Sequence, residues 1–375
     1  MLRRLCIIFF LLLPPAALAQ QPPSLPPLVS KSWLLLDVSA NQLIASDNPH
    51  ERVEPASLTK LMTAYVVFEQ LRDKKLALDQ EVTVSPKAWK TGGSKMFIEP
   101  QKRVSIDELI HGMIVVSGND ASVALAEQVA GSEEAFAQLM NQEAKRLGMA
   151  DSNFTNASGL PDPKHYTSAY DLALVALALI RDFPQYYPLY SIKEFRYNNI
   201  AQPNRNRLLW LDPNVDGLKT GYTENAGYCL IASAKRGERR MLTVILGAPS
   251  ESIRSQEGQT LLNFGFQMFD TVRVQEKDKP LSTVRVWKGK SNEVRAGLAS
   301  DLLVAIPRGT NDRIKADFIS AQPLVAPVPR GQRVGTMKLS YDNRPLGEYP
   351  VVALDEIPVA GFFGRMWDTM RLWVK

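Results

Sequence analysis

Tyr228-Cys229-Leu230-Ile231-Ala232-Ser233-Ala234, then the polar turn Lys235 to Arg240, then Met241-Leu242-Thr243-Val244-Ile245-Leu246 is the stretch that decides the fold. Two apolar runs of strand length parted by a short polar turn predict an antiparallel hairpin. Far upstream, Trp33 to Val38 reads as a strand closed by the turn Ser39-Ala40-Asn41. A helical block lies between. Leu58, Leu61, Met62 and Tyr65 recur at helical spacing behind Pro55, which suits a first turn because its missing N–H costs nothing there. A second helix opens at Ser105 with Glu108 as its capping partner; Asp120 to Ala130 and Glu133 to Leu147 follow, the latter stopped by Gly148. Asp171 to Ile180 is apolar all round, which marks a buried central helix. After the hairpin comes a helix from Glu251 to Phe269. This order predicts an α/β (α+β) fold: an antiparallel sheet with helices on its faces, spanning residues 32–270.

Beyond Thr271 the pattern alternates at period two, as in Thr283-Val284-Arg285-Val286-Trp287 and Met337-Lys338-Leu339-Ser340-Tyr341, which predicts a small all-β domain over 271–354. In the tail 355–375, Phe362, Phe363, Met366, Trp367, Met370, Trp373 and Val374 gather on one side of a helix. Arg365, Asp368, Arg371 and Lys375 take the other, with Leu372 the exception. Too short and too charged to span a bilayer, residues 358–375 read as an interfacial membrane anchor. At the other end, Arg3 and Arg4 precede the apolar run Leu5 to Leu13, and Ala17-Leu18-Ala19 supplies small residues for cleavage before Gln20. Residues 1–19 are therefore expected to be a signal peptide, and the proline-marked 20–31 a linker.

Losing Arg3 and Arg4 takes the formal charge from +5 to +3, which is too mild for the concentrated basic face that nucleic acid demands. Cys6 leaves with the leader, so Cys229 stands alone as a buried thiol with no disulfide partner. His50, His111 and His165 are scattered without clustered Cys or Glu, so neither a metal site nor a cofactor is expected.

Three short motifs carry the chemistry. In Ser57-Leu58-Thr59-Lys60 the i, i+3 spacing sets a hydroxyl beside an amine. A lysine stripped of water becomes a base able to take the serine proton. Ser117-Gly118-Asn119, between two helices, offers a second hydroxyl and an amide; Lys219-Thr220-Gly221, ahead of the strand beginning near Tyr228, offers an ammonium and a glycine that admits a close backbone. Lys90-Thr91-Gly92 repeats the last set of letters but runs into Gly93 with no strand after it, and reads as a loop.

The ordered trio, with its flanks Glu54-Pro55-Ala56, Leu61-Met62-Thr63, Asp120-Ala121, Val215-Asp216-Gly217-Leu218 and Tyr222-Thr223, resembles the low-molecular-mass penicillin-binding proteins of the D-alanyl-D-alanine carboxypeptidase family. These are serine peptidases of the penicillin-recognising, β-lactamase-like superfamily, and the resemblance extends through the β domain and tail. It implies an enzyme that removes the terminal D-alanine from peptidoglycan pentapeptides through an acyl-enzyme on Ser57, and that β-lactams acylate. Lys60 would be the base and Ser117 would return the proton. Asn119, Lys219, Thr220, Gly221 and Tyr222 would bind substrate, with Arg205 or Arg254 receiving its terminal carboxylate. Tyr222 departs from the histidine of some members. Gly118 replaces the aspartate of class A β-lactamases, and residues 152–170 hold no glutamate to activate a deacylating water, which argues against fast antibiotic hydrolysis. A D,D-endopeptidase, a β-lactamase, or a protein that captures peptide without turnover shares the same residues. The leader and tail together imply export to the periplasmic face of the inner membrane.

Overall fold

A computed structural model describes residues 24–373, so the signal-peptide expectation and the first linker residues lie outside the described part. The chain enters the main sheet through β1 (Ser32–Asp37) and turns at 38–41 into β2 (Gln42–Asp47). Five principal helices follow: α1 (Lys60–Arg72), α2 (Ile106–Val115), α3 (Asn119–Ala130), α4 (Glu133–Leu147) and α5 (Ala169–Asp182). Then come β3 (Val215–Thr223), β4 (Gly227–Arg236), β5 (Arg239–Ala248) and α6 (Glu251–Met268). The sheet runs in the order β2-β1-β5-β4-β3, every neighbour antiparallel. The strand nearest the N-terminus thus lies between its own hairpin partner β2 and β5, the second strand of the last hairpin.

Both faces of this sheet are covered, which explains why its strands read as unbroken apolar runs rather than alternating ones. Leu34, Leu36, Ile231, Leu242, Val244 and Leu246 join the core of α1 and α5, while Leu35, Leu230, Met241 and Ile245 pack under Leu261, Leu262 and Phe264 of α6. Helix starts follow local chemistry. Ser105 accepts from the Glu108 amide while the Glu108 carboxylate accepts from Ser105, the reciprocal cap the sequence predicts.

The segment 24–31 forms no regular element, yet it is not a free linker as its prolines suggest. Leu25 and Leu28 pack against the α6 core, and the buried Glu257 of α6 accepts hydrogen bonds from the Val29 amide (2.5 Å) and the Ser30 hydroxyl. Proline limits the backbone to extended forms, but it does not prevent its neighbours from burying apolar surface.

The C-terminal domain holds a six-stranded sheet in the order Ile314–Ser320, Arg333–Tyr341, Arg344–Ala353, Glu293–Gly297, Pro280–Trp287, Leu324–Val325. Phe269–Gln275 and Leu302–Pro307 form a separate pair. Its own core includes Val284, Val286, Val304, Ile306, Met337 and Leu339. The side chain of Gln42 pairs with both backbone groups of Ala305, and Thr271 links Asp37 to Arg239, so this domain is fastened to one end of the main sheet. The tail helix spans Phe362–Trp373; residues ahead of it belong to the β domain, with Ile357 bridging Val328 and Val359 bridging Gly289.

Glu257→Ala leaves two donors of the 24–31 segment unpaired. Hydrogen bonds to a charged group are worth about 2 kcal/mol, so the midpoint of thermal unfolding is expected to fall by roughly 4–8 °C. An unchanged midpoint by calorimetry would show that the segment adds nothing to stability.

Candidate active site

Ser57 lies in the 3-10 turn Ala56–Thr59, one turn earlier than a serine inside the helix, and Lys60 is the first residue of α1. Three-residue periodicity places i and i+3 on one line, so the pair meets directly. Lys60 is 1 % exposed, and its Nζ stands 3.0 Å from Ser57 Oγ, 2.6 Å from Asn119 Oδ1 and 2.6 Å from the Ser158 carbonyl. A neutral amine has two N–H donors and one lone pair. The two carbonyl oxygens take the donors, which aims the lone pair at the serine hydroxyl. Burial and then the Arg205 cation bring the Lys60 pKa down to about 7, outweighing the Asp120 carboxylate, which raises it.

A second lysine–serine pair faces the first. Lys219 Nζ donates to Ser117 Oγ at 2.9 Å and to the Thr220 carbonyl at 3.1 Å. Burial, followed by the Lys60, Arg205 and Arg254 cations, holds this amine well below the ordinary lysine range. Ser117 occupies the left-handed region at φ +63 in the junction between α2 and α3. A side chain there costs of order 1 kcal/mol or more, and such strain gathers at functional sites. Asn119, at the start of α3, lies in the chain between the two lysines' elements. Its Oδ1 accepts from Lys60 and its Nδ2 donates to the Gly92 carbonyl at 2.8 Å.

Lys219, Thr220 and Gly221 lie ahead of β4, as expected, and are themselves part of β3 at the sheet edge. A Cβ on Gly221 would stand 3.2 Å from the Ser57 amide nitrogen and 3.1 Å from Ala56 Cβ, so glycine lets the edge pass close to the nucleophile. A cavity of about 630 Å³ opens over this edge, lined by Ser57, Ser117, Thr220, Tyr222, Arg205 and Arg254 among others. Both candidate arginines therefore reach the site. Arg205 is exposed and donates to Ser94 Oγ at 2.7 Å. Arg254 is 4 % exposed, donates to Glu251 at 3.2 Å, and its Nε is one of the buried side-chain atoms left without a hydrogen-bond partner among the described residues. A buried guanidinium with an unused donor is prepared for an anion.

Residues 18–250 match the family described as D-alanyl-D-alanine carboxypeptidase, and residues 269–359 match the C-terminal domain of penicillin-binding protein 5. The chain belongs to the D-alanyl-D-alanine carboxypeptidase family. It is 42% identical to the D-alanyl-D-alanine carboxypeptidase DacC of Escherichia coli over 92% of this chain and 89% of that one. The penicillin-binding protein 5 structure from Haemophilus influenzae is 38% identical and superposes with a TM-score of 0.85, covering 90% of this chain and 99% of that chain. Penicillin-binding protein D2 of Listeria monocytogenes, in its ampicillin-bound form, is 29% identical with a TM-score of 0.59, covering 64% of this chain and 98% of that one.

Several supports of this serine peptidase site escape a reading of the sequence. Buried Asp120 accepts from the amides of Met96 and Phe97, both at 2.9 Å, and so ties the cavity rim to the first turn of α3. Of the dismissed Lys90-Thr91-Gly92, Lys90 closes the short helix Pro86–Lys90 and only Thr91 and Gly92 are loop; Gly93 and Ser94 just after it line the cavity, and the Gly92 carbonyl accepts from Asn119. Asn156 Oδ1 accepts from the amides of Ser158, Gly159 and Leu160, shaping the turn that offers the Ser158 carbonyl to Lys60. Gly159, at φ +84, passes so close to Ala56 that a Cβ would overlap its carbonyl. His165 is buried, its pKa brought down to about 4 by burial. Its Nδ1 accepts from the Thr155 amide at 3.1 Å, so Nε2 carries the proton and donates to Thr59 Oγ1 at 2.8 Å, next to Lys60. Buried Cys229, raised to about 11, takes no part.

Because Lys60 is lowered to about 7, its basic form predominates above that pH rather than only above 10.5. Acylation by a penicillin, followed by stopped flow, is expected to rise about tenfold between pH 6 and a plateau above 7.5. A limb that keeps climbing towards pH 10 would exclude Lys60 as the base.

Proposed function

We propose that Lys60 draws the proton from Ser57, whose Oγ attacks the carbonyl between the two terminal D-alanines of a cell-wall pentapeptide. The observation that carries this is the buried amine 3.0 Å from the hydroxyl, with its other hydrogens already engaged. The backbone N–H groups of Ser57 and Tyr222 are suited to hold the oxyanion, each worth about 3 kcal/mol when aimed at developing charge. Ser117, backed by Lys219, hands a proton to the departing amine. Arg254 and Thr220 receive the terminal carboxylate, with exposed Arg205 supplying long-range attraction. Water then cleaves the ester and frees the shortened peptide.

Penicillins enter the same route, since their amide mimics the scissile bond and their carboxylate needs the same cradle. Loop 152–170 supplies a carbonyl and an Asn156 turn near Lys60 and has no glutamate, which supports slow release of the antibiotic over β-lactamase turnover. A penicillin label is expected on Ser57 by mass spectrometry and absent from Ser57→Ala, while the parent releases free D-alanine from a pentapeptide. Label without D-alanine release would leave a capture protein in place of an enzyme.

We also propose that the protein is exported and works at the outer surface of the inner membrane, held by its tail. Phe362 is 67% exposed, Met366 49% and Trp367 57%, and the Arg371 guanidinium lies 5.4 Å from the Trp367 ring, a composition that suits a headgroup layer. Among the described residues no helix is long and apolar enough to cross a membrane. Val374 and Lys375, and the side chains of Phe363, Met370, Leu372 and Trp373, lie outside what is described. Full-length protein is expected to co-sediment with vesicles containing anionic lipid, and a chain ending at residue 361, which keeps the β-domain pairing of Val359, to stay in the supernatant. Equal partitioning of the two would remove the anchor.

A further inference from the structure

A second cavity, of about 800 Å³, opens beside the catalytic one, and Arg205 and Glu251 line both. Its size falls within the range of about 300–1,000 Å³ that holds a small organic ligand. One wall is the short helix Leu208–Leu211. Leu208 and Leu209 are buried in the core shared with α6, whereas Trp210 is 48% exposed. Asn206 fixes this helix to the catalytic strand: its Oδ1 accepts from the Leu208 amide at 3.2 Å, and its Nδ2 donates to the Gly217 carbonyl of β3 at 3.0 Å. The indole is therefore carried on a rigid support. Another wall is α6, where Ser252, Gln256 and Gln259 share one face at helical spacing. Among the described residues, the side chains of Ser252, Gln256, Gln259 and Arg207 and the Trp210 N–H make no hydrogen bond.

An aromatic face beside unengaged amides and a hydroxyl has the chemistry of a sugar site. A pyranose ring displays C–H bonds made slightly positive by the oxygens on their carbons, and the electron-rich face of an indole attracts them. Each sugar hydroxyl both donates and accepts, which a glutamine amide matches with its carbonyl and its N–H groups. Other occupants fit less well. An acidic peptide would meet Glu251 as well as the arginines and leave both glutamines idle, and an apolar segment would find only Trp210 and Leu211. We propose that this cavity binds an uncharged saccharide, the β-1,4-linked amino-sugar strand of the cell wall, with one ring stacked on Trp210 and its polar groups paired with Gln256 and Gln259. The origin of the sugar rests on the carboxypeptidase reading above. There Arg254 holds the terminal carboxylate, so the rest of the peptide, and the sugar that carries it, extends away from this cavity. The strand on Trp210 is then a neighbour of the one whose peptide is trimmed. No bond changes at this site; holding a strand raises the effective concentration of peptides around Ser57.

The site is tested first without turnover. Full-length protein is titrated calorimetrically with the β-1,4-linked tetramer of N-acetylglucosamine, and the parent is expected to bind it saturably. Trp210→Ala, at an exposed position, is expected to weaken binding about tenfold, and Gln256→Ala combined with Gln259→Ala about fivefold. In both variants D-alanine release from a soluble pentapeptide is expected to stay within about twofold of the parent, while release from insoluble peptidoglycan falls about tenfold. The site is overturned if the parent does not bind the tetramer, if the variants bind it equally well, if an acidic peptide displaces it, or if turnover of the soluble and insoluble substrates changes alike. A parent that binds the tetramer but releases no D-alanine from the soluble peptide would keep the saccharide site and overturn the carboxypeptidase reading, and with it the cell-wall origin of the sugar.

Discussion

The burial of one amine governs the arrangement of this protein. An ammonium taken from water is expensive to hold, and Lys60 is held at 1 % exposure with only a partial carboxylate offset from Asp120. The cost emerges as a base of pKa about 7 beside a hydroxyl. Much of the surrounding structure serves to keep that amine dry and directed. The turn shaped by Asn156 presents one carbonyl, the α3 terminus presents another, and His165 fixes Thr59, the residue before it. Lys219 repeats the principle across the cavity: burial lowers it first, and the charges of Lys60, Arg205 and Arg254 lower it further.

Two arginines share the cavity with these lysines, so the site as a whole favours anions. Their placement divides the labour. Arg205 lies exposed on a loop, where its charge reaches far and costs little; Arg254 projects from α6 into a buried position. The helix that carries Arg254 also carries Glu257, which fastens the 24–31 segment, and the wall of the neighbouring cavity. Substrate recognition and N-terminal packing therefore draw on one rigid element.

Much of this was legible in the sequence. Apolar runs too continuous for a one-sided sheet implied helices on both faces, and the capping box at Ser105 and Glu108 was readable because its geometry is local. The three motifs were legible because spacing along one element sets contact. What escaped depends on contacts between distant segments. Nothing local shows that Gly159 will press on Ala56, that Asp120 will hold the amides of Met96 and Phe97, or that Asn119 will be engaged by Lys60. The proline-rich segment misled for a related reason. Prolines report a stiff backbone, whereas the docking of Leu25 and Leu28 is decided by α6, more than two hundred residues away.

The order of strands in the main sheet bears on how the enzyme comes alive. Its first strand, β1, sits between β2 and β5, and the wall beside Ser57 is β3, so the nucleophile is made long before its surroundings. Pairings that span so much chain form late, after the loop between them has closed. Until β3 arrives, the wall beside Ser57 and the Lys219 amine that faces Ser117 are both missing. Reactivity thus waits on completion of the fold, which spares the nascent chain from premature acylation.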